Sequence, residues 1–193
     1  WKYVRGFWAP EGVVKTVLSE TMCEKYRVRE PNHVFKSESK VIAGLDPAFG
    51  GDRCALMFAN FGNLESGLMG IEFTETVIIP INPALDEPIH FQIAHQVKEE
   101  CLQRGCDPRN LAVDSTGEGG GLCDIMHKEW SNKFLRVEFG GRASDKPVSD
   151  QDSRISHEAY ANRVTELWFS VREWTLREQI RGMCTDTIVE FTQ

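Results

Sequence analysis

No stretch of this chain approaches the roughly 20 consecutive apolar residues that a membrane-spanning helix needs, because charged side chains interrupt every candidate run. A secretory leader is not expected either: the opening WKYVRGFWAP has neither a basic start nor a long apolar segment. The chain is therefore expected to be a soluble, non-secreted piece of a larger polypeptide. Positive charge is scarce, with 22 Lys+Arg against 29 Asp+Glu, so that 22 − 29 = −7. Such a balance excludes a basic nucleic-acid coat. The six cysteines contain no C-x-x-C pair, and the five histidines show neither H-E-x-x-H nor zinc-finger spacing. Zinc chemistry and a disulfide framework are thereby disfavoured, and buried free thiols in a reducing compartment are the expectation. His33, His90, His95, His127 and His157 read as surface or packing residues. Internal repeats and low-complexity tracts are also lacking.

What is present is an ordinary globular balance, 41% hydrophobic and 26% charged. A chain of 193 residues can bury a sizeable core, and one domain preceded by an arm is expected. Residues 1–37 hold no sustained period beyond a short helix within 13–25, and read as an arm or linker from a preceding domain. The run 40–45, KVIAGL, is compact and apolar and ends at Asp46-Pro47 with Gly50, Gly51 and Asp52 beyond it, which predicts a buried strand. Strands are predicted over 54–59 and 67–73, joined through Asn60, Gly62 and Asn63 in an antiparallel meander.

From residue 87 the period lengthens: Ile89, Ile93, Val97 and Cys101 recur every four residues, with Pro88 before and Gly105 after, as in an amphipathic helix. A short strand over 111–114 then leads through 117–121 into a helix bearing Leu122, Ile125 and Met126. Leu135, Val137 and Phe139 alternate as a strand, 142–156 is polar and reads as a mobile loop, and Tyr160, Val164, Leu167, Trp168, Val171 and Trp174 form a helical stripe continuing toward Ile180. The order β-β-β-α-β-α-β-α predicts an α/β fold with a mixed sheet, antiparallel first strands and flanking helices.

Two carboxylates, Asp46 and Asp114, fall at the C-terminal ends of apolar strands, where open α/β sheets place their ligands. Neighbouring ionised carboxylates repel, and a divalent cation is the natural compensation; capping of the following turns is the alternative role for each. Oxygen-only carboxylate sites suit Mg2+ or Mn2+, and two such ions about 4 Å apart promote in-line phosphodiester hydrolysis. Asp52 is an auxiliary candidate or a turn residue, and Glu118 a solvated loop carboxylate. The glycines of 117–121 miss G-x-G-x-x-G because Leu122 holds the last position, and 44–51 is not a P-loop because no lysine follows. Arg136, Arg142, Lys146 and Arg154 form a cationic stripe that fits either DNA phosphates or a solvated surface; Arg142 and Lys146 are the chosen phosphate contacts.

These pieces together resemble the nuclease domain of tailed-phage terminase large subunits. The matching segments are Gly44-Leu45-Asp46-Pro47 with Gly50-Gly51-Asp52, Ala112-Val113-Asp114-Ser115-Thr116-Gly117 with Gly119, Phe139-Gly140-Gly141-Arg142-Ala143-Ser144, and Tyr160-Ala161-Asn162-Arg163 with Glu166 and Trp168. The resemblance runs from about Lys40 to Gly182 and implies a ribonuclease H-like domain over 38–193. By it, Asp46 and Asp114 are catalytic metal ligands for two Mg2+ or Mn2+ ions, with Asp52 auxiliary, in an endonuclease that cuts concatemeric duplex DNA. The partners it implies are double-stranded DNA, an ATPase domain of the same polypeptide, the terminase small subunit and the portal protein, in the cytoplasm of an infected bacterium. Members of that family carry a third acid on a later helix in a Pro-Asp-x-x-Asp-Ala-like context, which neither Asp186 nor Glu190 reproduces; truncation at the C-terminus, an incomplete metal site and weak or absent activity of this fragment are the corresponding expectations. Two other readings stay open: an actin-like or sugar-kinase ATPase half, and a non-catalytic domain that docks to the portal.

Overall fold

A computed structural model describes residues 17–25, 27, 34–49, 53–149 and 152–192. Its centre is a six-stranded mixed sheet. Three consecutive strands, β1 (Lys40–Asp46), β2 (Ala55–Asn63) and β3 (Met69–Ile78), pair antiparallel, with Lys40 opposite Phe61 and Asp46 opposite Ala55. The chain then crosses back through helix α2 (Ile89–Gln103) to β4 (Leu111–Asp114), and through α3 (Gly119–Glu129) to β5 (Leu135–Val137). Both are parallel to β1, so the sheet order is β5-β4-β1-β2-β3, with a last short strand, β8 (Ile180–Arg181), beyond β3. This is the ribonuclease H-like arrangement expected from the sequence.

Alternation along the strands sorts the side chains by face. Ala43 and Leu45 of β1, Leu56 and Phe58 of β2, and Leu111 and Val113 of β4 point to one side, where they meet Ile93, Val97 and Cys101 of α2 and Leu122 and Met126 of α3. This is the larger core. Gln92 fixes the loop that enters α2, its amide accepting from Asn82 N at 3.0 Å and donating to Glu87 O at 2.7 Å.

The opposite face is covered at one end by α5 (Arg163–Leu176). Trp168, Val171 and Trp174 pack there with Phe73, Ile180 and Met183, and Trp174 stacks on Phe61 at 6.3 Å between centroids. Asn162 starts this helix by accepting from Thr165 N at 3.0 Å. Two further helices, α1 (Glu20–Glu24) and α6 (Thr185–Thr192), close the same core. Within the segment read as an arm, Leu18 and Cys23 are fully buried in it.

Several boundaries differ from the sequence reading. Asn60, Gly62 and Asn63 lie inside β2, because Phe61 continues the alternation against Trp174. The polar stretch 142–156 is not a loop throughout: β6 (Pro147–Ser149) and β7 (Asp152–Ile155) pair antiparallel and lead into α4 (Ser156–Ala159). The long helical stripe starts after Tyr160 and stops at Leu176, after which Ile180–Arg181 becomes β8 along the β3 edge. Gly182 allows that turn, with φ +76 and a backbone approach that would bring a Cβ within 2.3 Å of Phe73 O. Of the six cysteines, five are buried free thiols, as expected, while Cys184 is exposed.

Candidate functional site

Leu45 pairs with Val113 in the parallel β1–β4 ladder, so Asp46 and Asp114 follow one step later, side by side at the C-terminal ends of adjacent strands. Both point away from the α2–α3 core, since Leu45 and Val113 point into it. Neighbouring strands lie roughly 4.8 Å apart, and two carboxylates at that spacing on one face form a compact pair of oxygen donors. Asp46 is exposed and Asp114 half-buried. The same face is open nearby: no described atom comes within 4 Å of where a Cβ on Gly44 would lie, and Leu135 is 61% exposed.

The turn after β4 orients Asp114. Its Oδ1 accepts from Thr116 N at 2.9 Å and from Thr116 Oγ1 at 2.6 Å, while the Thr116 hydroxyl accepts from Phe139 N at 3.1 Å. One threonine thus ties the carboxylate to the segment leaving β5. Behind the turn, α3 starts so close to β4 that a Cβ on Gly119 would lie 2.3 Å from Asp114 O, with Pro47 Cγ 3.5 Å away. Pro47 follows Asp46, so the same glycine brings the two strand ends together. Phe49, further along the turn after β1, stacks on His90 of α2 with centroids 4.6 Å apart, a packing role for that histidine.

Beyond β5, a second polar cluster organises the segment that carries Arg142 and Lys146. Glu166 is 8% exposed and accepts from Ser144 N at 2.7 Å, from the Ser144 hydroxyl and from Arg163 Nη1 at 3.0 Å. Burial pushes its carboxyl up, yet the Ser144 donors and the Arg163 guanidinium outweigh that and hold it below the ordinary value. Arg163 N and Val164 N, in the first turn of α5, donate to Gly141 O at 2.7 Å and Phe139 O at 3.1 Å, which fastens the segment at both ends.

The geometry therefore joins Asp46 with Asp114. Asp52 lies outside the described residues. Arg142 follows the Phe139 anchor by three positions and is 3.3 Å from Asp145 Oδ1, which is also 2.9 Å from His157 Nδ1. Lys146 is exposed, with its main chain held by Ser144 Oγ and Ser156 N. The cationic stripe is largely ion-paired: Arg154 with Asp152 at 2.6 Å, and Arg136 with Asp124 at 2.7 Å. Arg136 pairs in register with Val113 and so faces the side opposite Asp114. Among the described residues no three His, Cys, Asp or Glu side chains are grouped to hold a metal ion. Thr116 lies in the Asp114 motif with no role assigned from sequence; its signal is a hydroxyl residue two positions after an aspartate, an Asx-type turn.

No family model matches the chain, and no curated protein matches it. Among solved structures, the HK97 bacteriophage large terminase is similar, at 14% identity and a TM-score of 0.47, over 88% of this chain and 34% of that one. The chain thus spans about a third of the length of that terminase. No described helix is long and apolar enough to cross a membrane.

Proposed function

We propose that this chain is the nuclease domain of a terminase-type DNA-packaging protein, hydrolysing duplex DNA with Mg2+ or Mn2+ held between Asp46 and Asp114. The observation that carries this reading is the register of the two aspartates on adjacent parallel strands, with Asp114 fixed by Thr116. The donor set fits a hard divalent cation: oxygen only, formally −2, and open to solvent on the substrate side. Such ions, when bound, supply an activated water and stabilise the departing 3′ oxygen of the phosphodiester.

The residues themselves have three tasks. Asp46 and Asp114 present carboxylate oxygens at the strand ends and would hold the divalent cation whose charge offsets their repulsion of a phosphate. Thr116 occupies Asp114 Oδ1 with two hydrogen bonds, which leaves Oδ2 as the outward donor. Arg142 and Lys146 meet the phosphates flanking the cut; the Arg142–Asp145 pair is exposed, and such pairs are weak enough to exchange partners. With a chain charge of −7, the grip on DNA is weak and salt-sensitive and is supplied mainly by the ATPase domain of the same polypeptide, with the small subunit and portal protein as further partners.

Plasmid digestion in Mn2+, with EDTA and with Asp46→Asn and Asp114→Asn, tests the reading. Cutting that EDTA and either substitution abolish, in variants that melt like the parent, is the expected result. Cutting that survives Asp46→Asn refutes the site. Retention by portal protein without any metal-dependent cutting would transfer the assignment to an assembly domain.

A further inference from the structure

Helix α2 ends in a Schellman motif. Arg104 N donates to Glu100 O at 3.3 Å, Gly105 N to Leu102 O at 3.3 Å and Cys106 N to Cys101 O at 2.8 Å, while Gly105 takes φ +66. In this motif the residue three positions before the cap and the second residue beyond it are brought into side-chain contact. An apolar pair normally fills those places. Here both are cysteine, each the strongest influence on the other's thiol, and the Cys106 thiol lies 3.8 Å from Asp107 O. The remaining described thiols are different: no cysteine is among the groups acting on Cys23, Cys54, Cys123 or Cys184.

We propose that Cys101 and Cys106 are an oxidative modification site, a dithiol that closes to a disulfide across the end of α2 when the protein meets a small-molecule disulfide. Two cysteines whose backbones share a hydrogen bond, at the two positions this motif brings into side-chain contact, are placed to bridge without rearranging the chain. Cys106 is the attacking sulfur. It is the less buried of the two, at 3% against 0% exposure, and the neighbouring Cys101 thiol holds its own below the ordinary value despite burial. Cys101 is the resolving thiol, pushed upward by its Cys106 neighbour and by burial.

In the first step the Cys106 thiolate attacks one sulfur of oxidised glutathione, forming a mixed disulfide and releasing one glutathione thiolate. Cys101 then loses its proton and attacks the Cys106 sulfur, releasing the second glutathione thiolate. Two protein thiols are oxidised, one glutathione disulfide is reduced to two thiols, and the two protons from the cysteines end on the glutathiones. Access comes from opening of the last helical turn, whose outer residue Leu102 is 63% exposed. The bridge would fasten α2 to the turn at Pro108–Asn110 that feeds β4 and Asp114.

The full 193-residue chain, incubated with oxidised glutathione, alkylated and mapped by peptide mass spectrometry, tests this. The expected product has lost two hydrogens, carries a Cys101–Cys106 link, and returns to the parent mass with dithiothreitol. In Cys101→Ser the expected product is a single glutathione trapped on Cys106. Alkylation of Cys101 and Cys106 only after unfolding, together with no adduct on Cys106 in Cys101→Ser, would overturn the proposal and leave the pair as packing. Glutathione on Cys184 alone would overturn it equally.

Discussion

Three consecutive glycines open α3, and the geometry assigns opposite signs to their replacement by alanine. A Cβ on Gly119 would lie 2.3 Å from Asp114 O and 3.1 Å from Asp114 C, both backbone atoms with no rotamer to relieve the overlap. The start of α3 and the end of β4 would have to separate by about 1 Å to restore ordinary contact, a form of overpacking that costs about 2–3 kcal/mol. Helix propensity returns at most about 1 kcal/mol. The net loss of about 1–2 kcal/mol corresponds to a melting temperature lowered by roughly 2–8 °C in a chain of this size. Gly120 and Gly121 are different, since their Cβ positions lie 3.5 Å from Ser115 O and 3.7 Å from His90 Nε2, ordinary contacts. Gly120→Ala and Gly121→Ala should therefore gain up to about 1 kcal/mol and melt as much as 2–4 °C higher. Calorimetry on the three single variants decides the matter. A Gly119→Ala protein melting at or above the parent, or three variants shifting alike, would refute the close-approach argument.

Other perturbations read out the remaining contacts. Thr116→Val removes both the hydroxyl that donates to Asp114 and the acceptor for Phe139 N, so Mn2+ affinity measured by titration calorimetry should fall several-fold, whereas Thr116→Ser should retain it. Glu166→Gln should cost about 1–3 kcal/mol at neutral pH by weakening the bonds from Ser144 and Arg163. Because the Glu166 carboxyl is held low in the folded state, its contribution is fully present above about pH 4.5 and is lost as pH falls through the lower folded value; the variant's acid melting profile should be flatter there. Leu18→Ala, which empties a fully buried position in the second core, should lower stability by about 2–5 kcal/mol in urea titration. An unchanged midpoint would mean that the N-terminal segment does not pack on the domain.

The strands and helices of the larger core were legible because each has one face to bury. The four-residue period of Ile89, Ile93, Val97 and Cys101 became α2, and the run after Lys40 became the strand at the centre of the sheet. Legibility failed where tertiary contacts override local pattern. Asn60, Gly62 and Asn63 are turn formers by propensity, yet they extend β2 because β3 pairs with all three, and β1 pairs with the other edge as far as Phe61. β8 is two residues long, too short to carry a period, and exists through its pairing with Ile71 and Glu72.

The same contrast governs the candidate site. That Asp46 and Asp114 end apolar strands was visible from the residues, but their adjacency was not, because it depends on which strands pair and in what register. What fixes Asp114 was less visible still, for a threonine two positions on is common in solvated turns, and only the third bond, from Phe139 N, distinguishes this one. The 142–156 segment makes the converse point. Its polarity suggested mobility, yet Glu166, twenty-two residues beyond Ser144, holds it by bonds that no local pattern announces. A buried carboxylate with several donors is costly unless all its bonds form, so it selects one arrangement of the chain around it. The frame beside Asp114 is therefore built from polar residues as much as from the apolar core, and the phosphate contact proposed for Arg142 would inherit its position from Glu166.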